Sequence, residues 1–108
     1  MVTRDEVEDL VARVLSDEVP LVRSLHAGQR MVERGYSIFD VRAVLQAHEL
    51  ESEPVWNAEN RNYEVCLIGE CLERRTTRVV LGLRREGACV LVTVMQVRRM
   101  RRGARRRE

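Results

Sequence analysis

The 108-residue chain contains no lysine at all, so all 19 of its basic residues are arginine. Aromatics are nearly as scarce, with one Trp, two Tyr and one Phe, and there are only two prolines and two histidines. Each scarcity excludes something. Three cysteines, an odd number, do not make a disulfide framework and are expected as free thiols. A zinc site wants about four ligands at short spacing, whereas the only near pair here is Cys66 and Cys71, so no metal is expected. No apolar run approaches a membrane span, and Met-Val-Thr-Arg-Asp-Glu is too acidic for a secretory leader, so a cytoplasmic location is the expectation, with no membrane partner.

What is present is 44% hydrophobic and 33% charged residues, the balance of a globular domain with one modest core. The total charge of +2 conceals an asymmetry: residues 98–108 hold seven arginines and one glutamate, a formal +6, which leaves −4 on the other 97 residues. Bulk charge therefore does not mark a nucleic-acid-binding body. RNA would have to meet a local patch together with the tail, through Arg98, Arg99, Arg101 and Arg102, or else the tail is a solubilising terminus.

Along the chain, Thr3-Arg4-Asp5-Glu6 has the form of a capping box, and Val7, Leu10, Val11, Val14 and Leu15 recur at helical spacing. A helix over about 4–15 is expected, with an acidic exposed face, either covering the domain or standing off it as an arm. A second helix is expected from Leu21 or Leu25 to Arg34, ended by Gly35. Leu25, Met31 and Val32 are its core candidates, and Gly28 would let a neighbouring element approach closely. A third begins after Ser37, with Asp40 closing its capping box and Ile38, Val41, Val44, Leu45 and His48 as an apolar seam.

Residues 49–59 lose this period and read as a loop or irregular edge strand. From Arg61 the pattern becomes extended, with strands over 63–69, 77–83 and 88–97 and Gly87 in the second turn. Strict alternation in the last strand would turn Val90, Val92 and Val94 toward the helices and Cys89, Leu91, Thr93 and Met95 away. The expected fold class is α+β, with the N-terminal helices packed on one face of a three- to four-stranded antiparallel sheet. The expected divisions are an acidic helix or arm over 1–20, an α+β domain over 21–97 and an arginine-rich tail over 98–108.

One ridge carries chemistry. His26, Arg30 and Arg34 recur at i, i+4 and i+8, so an imidazole and two guanidinium groups share one helix flank. That set can handle a phosphate, or it can be a wet surface with His26 packed beside Ser24.

The order Ser24, His26, Ala27, Arg30, Met31, Arg34, Gly35, Ser37, Asp40, Val41, Val44 and Leu45, followed by Tyr63, Gly69 and Val92-Thr93-Val94, resembles a bacterial family of small domains of unknown function. That family is grouped with the RelE-, ParE- and BrnT-like toxins, in the wider barnase–EndoU–colicin–RelE class. The resemblance spans about 21–96. It implies a RelE-like fold and a metal-independent endoribonuclease, the toxin of a toxin–antitoxin pair, without cofactor. In that reading His26 is the base or acid, Arg30 and Arg34 hold the phosphate, and Thr93 or Tyr63 orients or donates a proton. Its partners are RNA, on or off the ribosome, and a cognate antitoxin or a second copy. The competing expectation is a non-catalytic interaction domain of the same fold.

Overall fold

Short side-chain caps decide where the helices begin. In the computed structural model, which describes residues 2–84 and 87–97, Thr3 accepts the Glu6 amide at 3.2 Å while Glu6 accepts the Thr3 amide at 2.8 Å. That reciprocal box starts α1 (Arg4–Leu15). Ser24 accepts the Ala27 amide at 3.0 Å to start α2 (Leu25–Arg34), which Gly35 ends at φ 72°, a left-handed value that suits glycine. Ser37 and Asp40 form the second box and open α3 (Ile38–Gln46).

The strands are β1 (Leu21–Arg23), β2 (Glu49–Leu50), β3 (Val55–Asn57), β4 (Asn62–Glu70), β5 (Thr76–Leu83) and β6 (Cys89–Gln96). Their order is β1-β6-β5-β4-β2, with β3 also on β4. The class is α+β as expected, but the sheet is six-stranded and mixed rather than a three- to four-stranded antiparallel one. β1 lies parallel to β6 where a helix start had been an option, because Ser24 caps only from Leu25 and the three residues before it pair with Cys89–Leu91. β2 and β3 form from the segment 49–59, which borrows its order from β4. Gly87 takes φ 87° in the β5–β6 turn.

All three helices bury their apolar faces against one side of the sheet. Val7, Val11 and Val14 of α1, Ala27 and Met31 of α2, and Val41, Val44 and Leu45 of α3 meet Val65, Leu67, Val79 and Leu81 in one cluster. α1 thus covers the core. It is fastened by Arg42, which donates to the Leu15 carbonyl at 2.7 Å, and by His48, whose ring bridges the Leu45 carbonyl and Glu8 at 2.7 and 2.9 Å. No described helix is long and apolar enough to cross a membrane.

Two expectations about facing are corrected. The pairing on β5 jumps from Val80↔Thr93 to Leu81↔Leu91, so Val92 is an extra, bulged residue. Alternation is reset there: Cys89, Leu91 and Val94 are buried toward the helices, while Thr93 and Met95 face the other way. On α2, Met31 is buried, but Leu25 and Val32 stand in solvent on the side away from the sheet.

Asp40 joins two parts of the fold. It accepts the Ser37 amide and hydroxyl and also the Leu72 amide at 3.2 Å, tying α3 to the β4–β5 connection. Burial alone would push its carboxyl up. The hydrogen bonds from Ser37 and Leu72, helped by the charge of Arg75, outweigh that and hold it below the ordinary 3.8. A lowered folded value means the contribution is complete above about 3.8 and is lost as pH falls through the folded value. Asp40→Ala is expected to lose about 1–2 kcal/mol in denaturant melts at neutral pH. Asp40→Asn is expected to flatten the acid limb of the stability curve below pH 3.8. An unchanged acid limb would contradict this assignment.

Candidate functional site

α2 crosses the sheet over β6, and its buried Ala27 and Met31 fix which flank carries the basic ridge. His26, Arg30 and Arg34 do share that flank, over a rise of about 12 Å. His26 is exposed one residue into the helix. Ser24, which could have engaged it, spends its hydroxyl on the Ala27 amide. Arg30 is held by Glu33 at 2.8 Å, an exposed pair within the helix that contributes little to stability. Arg34 donates to the Val94 carbonyl at 2.8 Å, so the ridge ends against the C-terminal part of β6.

At that end the structure adds residues that sequence reasoning passed over. Arg75, from the β4–β5 connection, donates to the Arg34 and Gly35 carbonyls at 3.1 and 2.9 Å. Its guanidinium lies over the Tyr36 ring, 4.0 Å from the centroid. Thr77 donates its hydroxyl to the Arg75 carbonyl at 3.0 Å, which leaves its oxygen to accept from the Tyr36 hydroxyl at 3.1 Å. Arg34, Tyr36, Arg75, Met95 and Gln96 line a cleft of about 430 Å³. The sequence carried no signal for this grouping beyond a polar connection between two strands; only the fold brings residues 34–36 to residue 75.

The other two candidates stay apart from the ridge. Thr93 lies on the sheet face opposite α2, in a row with Val80 and Cys66. Tyr63 lies near the start of β4, edge-on to Trp56 at 5.0 Å, in a cleft of about 600 Å³ that Asp5, Glu6 and Asp9 make acidic. Arg84 sets one cation there against the three carboxylates. Arg98, Arg99, Arg101 and Arg102 fall outside the described residues.

Cys66, Cys71 and Cys89 are free. Burial pushes the Cys89 thiol up to about 12, and burial together with Glu51 raises Cys66. Glu51 itself is held below its ordinary value by Arg78, whose guanidinium it meets with both oxygens at 2.6 Å. No group of three or more His, Cys, Asp or Glu converges as a metal cage among the described residues.

The family profile described as "Domain of unknown function (DUF4258)" matches residues 24–96. The chain belongs to this family. The DUF4258 segment begins at Ser24, the cap of α2, and ends at Gln96, the last residue of β6. It therefore contains the ridge, the Arg75 cleft and the sheet from β2 to β6, and it leaves out α1 and β1. No curated protein and no solved structure matches the chain.

The raised thiols give a direct test. In native protein at neutral pH, a thiol reagent is expected to reach Cys66 slowly and to leave the buried Cys71 and Cys89 unmodified until denaturant is added. Rapid labelling of Cys89 in the folded state would contradict the packing.

Proposed function

We propose that this DUF4258 domain is a toxin-type, metal-independent endoribonuclease on the RelE-like plan, acting along the α2 ridge. The observation that carries the reading is the polarity of that ridge: an exposed imidazole at one end and two guanidinium groups, Arg34 and Arg75, fixed by backbone carbonyls at the other. An RNA strand lying along it puts a ribose beside His26 and a neighbouring phosphate in the Arg34–Arg75 cleft. His26 takes the proton of the 2′-hydroxyl as that oxygen bonds to phosphorus. Arg30, one turn away, faces the charge that gathers on the phosphate oxygens. The P–O5′ bond breaks, and water protonates the departing oxygen, leaving a 2′,3′-cyclic phosphate.

Thr93, on the opposite face of the sheet, and Tyr63, in the cleft beside α1, have no part in this mechanism. Val97 donates to the Thr76 carbonyl at 2.8 Å at the cleft end of the sheet, and the tail arginines follow directly in sequence, so they can add sequence-independent, salt-sensitive attraction. The competing reading, a non-catalytic interaction domain, is favoured by the sheet face opposite the helices, where Ile68, Val90 and Met95 remain only half-buried.

Purified protein incubated with RNA in chelator is expected to cleave it, with His26→Ala reducing the rate about a hundredfold or more. Arg30→Ala is expected to fall comparably, and Thr93→Val and Tyr63→Phe to stay near wild type. If folded wild type leaves RNA intact with and without ribosomes, the nuclease reading is abandoned. A toxin also predicts growth arrest on induction that His26→Ala relieves.

A further inference from the structure

Of the large apolar side chains on the described surface, Leu25 and Val32 are the most exposed, at 81% and 82%. They are not scattered. At i and i+7 they lie on one line along α2, and Gly28 sits between them, three residues from one and four from the other. A glycine inside a helix costs about 1 kcal/mol relative to alanine. Close packing commonly offsets that cost, yet a Cβ at Gly28 would meet nothing within 4 Å. Leu25, Gly28 and Val32 are, with Arg23 and Glu33, among the residues around a shallow groove across the outer face of α2.

We propose that this face is the two-fold interface of a homodimer, in which α2 packs antiparallel on the partner's α2 with Gly28 near the crossing. The charge pattern selects a second copy as the occupant. Arg23 lies at one end of the groove and Glu33, which also pairs with Arg30 of its own helix at 2.8 Å, at the other, so a two-fold axis near Gly28 and Gln29 sets Arg23 beside the partner's Glu33, where it shares that carboxylate with Arg30, and Leu25 against the partner's Val32. Both contacts repeat by symmetry, as an isologous interface requires. A parallel arrangement would instead align like charges. The missing side chain at Gly28 lets the two backbones approach closely where the helices cross. His26 shares the row of Glu33, seven residues away, and so lies at the rim of this face, while Arg30 and Arg34 lie farther round the helix, about 140° and 180° from Leu25. The nuclease reading is tested by RNA cleavage and the dimer by mass, so either can fail without the other.

The test is the mass of the full chain by sedimentation or light scattering across a dilution series. Wild type is expected to dimerise. Val32→Glu and Gly28→Leu are each expected to raise the dimer Kd by at least about tenfold. Because both positions are open in the monomer, both variants are expected to keep the native circular dichroism spectrum. Arg23→Glu alone is expected to weaken the dimer, and Arg23→Glu with Glu33→Arg to restore it. Wild type that stays monomeric at the highest attainable concentration overturns the proposal and leaves the groove to a different helix. A dimer that survives Val32→Glu and Gly28→Leu overturns it as well, and places association on the sheet.

Discussion

One guanidinium holds the parts of this domain in register. Arg75 reaches from the β4–β5 connection to the end of α2, satisfies the Arg34 and Gly35 carbonyls, and covers the Tyr36 ring. A helix C-terminus presents unpaired carbonyls and a partial negative charge, so a cation there is favoured twice. Asp40 ties α3 to the same connection through Leu72, and Arg34 ties α2 to β6. These bonds set how α2 lies across the sheet, and that in turn decides which of its flanks meets what.

Three faces of α2 divide the work. Ala27 and Met31 belong to the core. The His26–Arg30–Arg34 flank ends at the Arg75 cleft and carries the proposed chemistry. The Leu25–Gly28–Val32 face looks away from the sheet and carries the proposed association. Because a ten-residue helix has only these few rows, a small rotation would bury one functional row and expose core in its place. The burial of Ala27 and Met31 and the Arg75 joint together oppose that rotation.

Much of the fold was legible because its signals are local. Thr3, Ser24, Ser37 and Gly35 mark helix ends through bonds made within three or four residues, and all four helix boundaries they govern are where those residues set them. The long strands show in runs of valine and leucine. What was not legible depends on distant partners. β1 is three residues long and exists only because β6 lies beside it. The Val92 bulge has no sequence mark and reverses the facing of the residues before it. The ridge was visible as an i, i+4, i+8 spacing, but Arg75 and Tyr36 come together across 39 residues of chain. Leu25 and Val32 were misplaced because apolar spacing on a helix does not say whether it faces its own core or another chain.

The most direct measurement of this account is amide hydrogen exchange across α2 in wild type and Arg75→Met, which keeps length and apolar contact but removes the charge and its donors. If Arg75 sets the helix, exchange at Met31 through Tyr36 is expected to speed up by about tenfold or more, on the scale of one lost charged hydrogen bond, while α1 stays protected. Unchanged protection at the end of α2 would show that the core alone orients the helix, and would contradict the account.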